Sequence, residues 1–268
     1  MNYVTLDYTD LALAASLLLI NGGISVVLSL GLARSLAISA VRMVVQLLLI
    51  GLILDFLLAS VSPFWTGLAV LVMLGFAGYE AMARQDRRLK GFWAYGLGTG
   101  VMTLAALLVM SFALITQVAA DPWYHPQYLL PMLGMVLGNC MTGVALAIRS
   151  ITSALADSRS AVEAQLTLGR TFRLSALPMV RSALKTAMTP TINSMAATGL
   201  VSLPGMMTGQ ILAGIDPVEA VKYQLLVMFL IAGATAIGVT GAVFAISRRL
   251  SDNRHRLRLD RLTEGSVY

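Results

Sequence analysis

The sequence predicts an all-α, polytopic membrane protein with about seven transmembrane helices, its N-terminus outside and its C-terminus in the cytoplasm. Three observations predict it. Of 268 residues, 57% are hydrophobic and only 12% are charged, and the mean hydropathy is +0.80, values a soluble domain rarely shows. Apolar runs of ~20 residues, the length an α-helix needs to cross hydrocarbon, recur along the chain. Lys and Arg gather in every second connection between those runs.

The runs cover residues 11–32, 37–58, 65–83, 92–116, 129–148, 186–203 and 223–246. The first has no basic residue before it and is long for a signal-peptide core, so it reads as an uncleaved span. The polar sequence between the runs is too short for a separate soluble domain. The whole of 1–268 therefore reads as one membrane domain with a cytoplasmic loop at about 150–185.

Orientation follows from the 19 Lys and Arg. All but Arg42 and Lys222 fall after runs one, three, five and seven, which places those connections inside. The net charge of +6 is largely this bias. Nucleic-acid binding is the poorer explanation, because the basic tail at 248–261 is short and lacks interleaved aromatics. Contact with anionic membrane lipid is the functional alternative for that tail. The acids Asp7, Asp10, Asp55, Asp121, Asp216 and Glu219 are left outside. They would favour an emerging cation, or they simply complement the inside bias.

Several polar groups and helix breakers lie within the runs. Arg42 and Gln46 are one turn apart on one face of the second run. Arg42 either snorkels to the near interface or faces a cavity, and Gln46 sits deeper. The fifth run holds Gly134 and Gly138, a small-x-x-x-small pair that favours close helix approach. It also holds Asn139, which needs a partner in the bilayer. The sixth run contains Pro190, which frees the carbonyl four residues earlier, and Asn193.

Pro204 and Gly205 then end that run. Gly205 and Gly209 flank Met206 and Met207, and Gly214 precedes Asp216-Pro217. This stretch is apolar yet broken by Pro and Gly. Non-helical backbone at membrane depth is tolerated only where protein or a cavity covers it. Pro204, Gly205, Gly209 and Gly214 therefore read as a short broken or re-entrant element, a candidate gate near the outer face.

Chemistry-bearing clusters are sparse. His125 and His255 are far apart in the predicted topology, and the single cysteine, Cys140, lies in the fifth run with no second cysteine to bridge. The 15 methionines include Met132, Met135, Met141, Met206 and Met207 near the expected pathway. A soft-metal thioether site is one reading, and flexible packing is the commoner use of methionine. Nothing resembles a nucleophilic or paired-carboxylate centre, so an enzyme is not expected. Glu80 and Arg84 are spaced for an i,i+4 ion pair.

One polar island stands out. Glu163-Ala164-Gln165-Leu166-Thr167-Leu168-Gly169 carries an E-A-x-x-x-L-G pattern in an arginine-rich cytoplasmic loop. A glycine there can break the backbone between two short helices. Such an element suits the docking of a soluble motor through Glu163, Leu166, Leu168 and Gly169. The chain has no G-x-x-x-x-G-K-[ST] phosphate loop of its own.

The stretch Gly199-Leu200-Val201-Ser202-Leu203-Pro204-Gly205-Met206-Met207-Thr208-Gly209, followed by Ala213 to Pro217 and Ala220 to Gln224, strongly resembles the FetB-type ABC transporter permeases. Arg42-x-x-x-Gln46, the Pro131–Met141 stretch and the Glu163–Gly169 loop extend the match. Here Gln165 stands where the general loop pattern has a second alanine. The resemblance implies a half-transporter in a bacterial inner membrane. Two permease copies, a homodimer, would join two copies of an ATP-binding cassette subunit that binds the ATP and Mg. This chain would hold no cofactor. The family's bacterial label is iron export, and its plant relatives are linked to aluminium tolerance and nucleotide-sugar transport. The pathway residues expected on this reading are Arg42, Gln46, Asn139, Asn193, Met206 and Met207.

Overall fold

The computed structural model describes residues 7–85, 87–116, 121–252 and 254–263. Its regular structure is helical, and the only β pairings among the described residues are isolated bridges. The helices in order are α1 (Tyr8–Val27), α2 (Ala33–Ser60), α3 (Pro63–Ala83), α4 (Trp93–Thr116), α5 (Pro126–Asp157), α6 (Arg159–Thr167), α7 (Phe172–Ser175), α8 (Leu177–Ala197), α9 (Gly205–Leu212) and α10 (Pro217–Arg249). Six of them, α1 to α5 and α10, are long and apolar enough to cross a membrane. The chain is thus an all-α, multi-pass membrane protein. The sixth expected span corresponds to α8. It has 21 residues, but Arg181 and Lys185 in its first half lower its apolar character.

Two compact units are present, Met1–Ser60 and Val61–Tyr268. In the first, α1 and α2 pack against each other, yet nearly all their side chains are exposed. Their connection turns through left-handed Ser29 and Gly31, closed by the Leu32 amide donating to Ser25 Oγ at 3.0 Å.

In the second unit α5 is the central helix. It packs on α10, α8, α3 and α4. Leu133, Val136, Val144, Ile151 and Leu155 of α5 are buried with Val239, Val243 and Ile246 of α10. Lipid supplies no hydrophobic drive between helices, so close backbone approach has to hold this core. Gly143 and Gly238 provide it. A Cβ on Gly143 would stand 2.7 Å from Thr235 Cγ2, and one on Gly238 2.6 Å from Cys140 Sγ. The pair expected from sequence behaves differently. A Cβ on Gly134 would meet only the end of the Met73 side chain, and one on Gly138 would meet nothing within 4 Å.

The helix ends follow from local chemistry. Pro63, Pro126 and Pro217 begin their helices where a missing N–H costs nothing. Asp216 caps α10 by accepting from the Val218 and Glu219 amides. Helix α10 carries Glu219 in its first turn and Arg248 and Arg249 in its last, matching the helix dipole. Helix α8 runs through Pro190 without ending. It stops at Ala197, before the expected Leu203, because Gly199 turns the chain at φ +94°.

Beyond α10 the chain folds back as a strap. The Lys90 amide donates to the Arg261 carbonyl at 2.8 Å, and the Thr263 amide to the Arg88 carbonyl at 2.7 Å. Leu89 and Leu262 pair across this bridge and are both buried. Arg249 lies 4.5 Å from the centre of the Trp93 ring. Two of the tail's basic groups are held by acids, Arg256 by Asp252 at 2.7 Å and Arg258 by Asp260 at 2.9 Å.

Candidate functional site

Two places in the second unit carry the residues of interest, one at each end of the packed helices. The first is the link between α5 and α8. Helix α5 continues to Asp157 because Ile151, Thr152 and Leu155 keep its buried face apolar or satisfied. The link is therefore residues 158–176, shorter than the expected loop. It forms a helix–turn–helix, α6 then α7.

Its turn is set by Gly169 at φ +83°, a conformation glycine adopts without steric cost. The Gly169 amide donates to the Leu166 carbonyl at 3.0 Å, and the Arg170 amide to the Gln165 carbonyl at 3.1 Å. This pair of bonds is a Schellman cap. Gln165 serves the cap through its backbone, so its departure from alanine leaves the turn intact. Val162 and Phe172 are buried on either side and Leu166 packs on the core. Glu163 pairs with Arg159 at 2.8 Å. Between these anchors Leu168 is held out, 83% exposed. The arrangement displays one large apolar side chain on a rigid, polar-flanked corner.

The second place is a cleft of about 190 Å³ between α5, α8, α9 and α10. It lies toward the start of α5 and α10 and the end of α8, opposite the Leu168 corner. Asn139 and Met135 come from α5, Met206 from α9 and Gln224 and Met228 from α10, with Pro204 and Gly205 at its edge. Thr191 and Ser194 of α8 add hydroxyls. Asn139 finds its partner in its own helix, its Nδ2 donating to the Met135 carbonyl at 2.8 Å.

Of the pathway residues expected from sequence, the cleft gathers Asn139 and Met206. Asn193 and Met207 lie on the flanking helices outside its lining. Met132 is buried in the core. Arg42 and Gln46 belong to the first unit, on an exposed face of α2. Of the gate residues, Pro204 and Gly205 line the cleft. Gly209 lies within α9, and Gly214, at φ +92°, ends it with a second Schellman cap. At eight residues α9 is too short to cross a bilayer. Thr191, Ser194 and Met228 were not singled out from sequence, and Gln224 entered only as the end of a family-like stretch, not as a pathway residue. The signal for Gln224 was there, a lone amide inside an apolar run.

Among the described residues, no three of His, Cys, Asp and Glu come together as a metal site. Glu80 and Arg84 approach to 3.9 Å on α3, a loose pair at the edge of ion-pair distance.

The family model described as "Uncharacterised protein family (UPF0014)" matches residues 8–251. The chain is 34% identical to the UPF0014 membrane protein slr1647 of Synechocystis over 94% of its length and 96% of that protein's. It is 30% identical to a protein named "Probable iron export permease protein FetB" of Escherichia coli, over 96% and 97% of the two chains. It is 32% identical to the protein ALUMINUM SENSITIVE 3 of Arabidopsis thaliana, over 78% and 74%. No solved structure matches the chain significantly.

Proposed function

The chain belongs to the UPF0014 family, and from that premise we propose that it is the membrane subunit of an ABC transporter that exports iron or another metal ion. In this reading ATP is bound with Mg and hydrolysed by a separate cassette subunit. Two permease copies form a homodimer in the plasma membrane, an inner membrane in a bacterium. The observation that carries it is the Leu168 corner. A large apolar side chain 83% exposed on a capped turn, flanked by arginines, suits insertion into a groove of a soluble partner. Glu163, Leu166 and Gly169 hold that corner in shape. The name of the Escherichia coli relative supports metal export.

The cleft beside Pro204 and Gly205 fits the role of a transit site, and α9 the role of its gate. A second reading, export of another solute such as a nucleotide sugar or metabolite, is favoured by the described lining of the cleft, where no carboxylate or imidazole would hold a divalent metal ion. A non-transporting membrane partner of a cassette ATPase is the remaining alternative.

The test is reconstitution of the permease with its cassette subunit in liposomes. ATP hydrolysis stimulated by a metal ion, with ATP-dependent movement of that metal, is the expected result. Stimulation by a nucleotide sugar alone would favour the second reading. A stable complex that moves neither would overturn transport altogether.

A further inference from the structure

The cleft has a donor set that narrows the cargo. Three thioethers line it, Met135, Met206 and Met228, from three different helices. Among the described residues, no ionisable side chain does. Its two amides offer oxygen. Asn139 commits Nδ2 to the Met135 carbonyl, which leaves Oδ1 as an acceptor. Gln224 is 6% exposed, and its Oε1 is buried without a hydrogen-bond partner among the described residues.

A buried carbonyl left without a partner is costly. A cation beside it would remove that cost. The remaining question is which cation. Thioethers are soft donors that select ions such as Cu(I), whereas carboxylates and imidazoles suit harder or divalent ions. The cost of desolvating an ion rises with the square of its charge, so a cleft without counter-charges tolerates a monovalent ion best.

We propose that this cleft binds a soft monovalent metal ion, Cu(I), through the thioethers of Met135, Met206 and Met228 and the Gln224 side-chain oxygen. As cargo identification it rests on the transport reading above. As a binding site it does not.

The experiment uses the purified full-length permease without its cassette partner. Ag(I) serves as a redox-inert probe, and Cu(I) is titrated against a chromogenic chelator. One tight equivalent per chain is expected, with sulfur neighbours in the X-ray absorption spectrum. Replacing all three lining methionines by leucine, close in volume, should weaken binding at least tenfold, and Gln224→Leu should weaken it by a smaller factor. Met141→Leu, off the cleft, should leave it unchanged.

Binding by the triple variant equal to wild type would overturn the proposal. So would a spectrum with only nitrogen and oxygen neighbours, or a preference for Fe(II) over Ag(I). The spectrum of the wild-type protein decides the matter even where a variant folds poorly. A permease that binds Ag(I) but never engages a cassette subunit would sink the transport reading alone. One that couples to ATP hydrolysis but binds no soft ion would sink this proposal alone.

Discussion

Gly238 on α10 lies directly against Cys140 on α5. A Cβ there would stand 2.6 Å from the Cys140 Sγ and 3.1 Å from Val144 Cγ2. Cys140 in turn donates its thiol to the Ala234 carbonyl at 3.6 Å. The thiol therefore fills the space that the missing side chain leaves. Gly238→Val should destabilise the α5–α10 contact by about 1–3 kcal/mol, the usual cost of overpacking a tight core. Cys140→Ala in the same chain should recover part of the loss. Thermal unfolding in detergent measures both, and an unchanged midpoint for Gly238→Val would contradict the packing.

Leu168 offers the sharpest test of partner docking. It makes no buried contact of its own, so Leu168→Asp should leave the permease folded. Cassette-subunit binding should weaken on the order of thirty-fold or more, as for the loss of an interface anchor. Pull-down with matched gel-filtration profiles reads this out. Wild-type copurification would remove the Leu168 corner as the docking element.

Gly205 separates gating from packing. It opens α9, and a Cβ built there meets nothing within 4 Å. Gly205→Val should therefore assemble normally, yet narrow the cleft edge and stiffen the helix start. Transport should fall several-fold with complex yield and basal ATP hydrolysis retained. Full transport by the intact variant would rule out a gate at this position.

The parity of the spans turns on α8. If α8 crosses, the chain has seven spans and its ends lie on opposite sides; if it does not, six spans put them on the same side. Cysteines introduced singly at Thr9 and Arg254 test this against a native Cys140 that is buried. An impermeant thiol reagent on intact cells should label Thr9→Cys alone, and Arg254→Cys only after permeabilisation. Labelling of both from one side would leave six spans.

Much of the fold was legible because apolar runs are long and local. Hydropathy finds α1 to α5 and α10 without knowledge of contacts. The boundaries of α8 were less legible, because Arg181 and Lys185 hide its start and Gly199 ends it inside an apolar stretch. The turn at Gly169 could be read, since a glycine between short amphipathic pieces has a local meaning. The packing glycines could not. Gly143 and Gly238 matter for what faces them on another helix, and Gly134 and Gly138 had the better sequence pattern. Met228 and Thr191 join the cleft only through the pairing of α8 with α10, a relation with no sequence signature. The strap was least legible of all, since Arg88 and Thr263 meet from 175 positions apart.

The strap also has a pH response. Arg258, hydrogen-bonded to Asp260, lowers that carboxyl to about 2, and the Arg256 amide leads the bonds that lower Asp252. A depressed folded-state value contributes stability above the unfolded value near ~4. That contribution is lost as pH falls through the folded value. Between about pH 4 and 2 the strap should loosen while the helices stay intact, because these are surface ion pairs and each contributes little. Spin labels at Arg88→Cys and Thr263→Cys should report a distance that broadens in that window. A distance unchanged down to pH 2 would show that Leu89 and Leu262 hold the strap without the ion pairs.

The bridge between Leu89 and Leu262 has a consequence for how the protein is made. Leu262 is synthesised after α10, whereas Leu89 emerges once α3 has been made. The connection between α3 and α4 must therefore wait, without its partner segment, through the insertion of α4 to α10. During that interval Leu89 is an uncovered apolar residue on a basic segment, open to chaperones and proteases. Closing the strap marks a chain in which α10 has been completed, and a chain stalled within α10 would carry an unlatched loop that quality control can recognise.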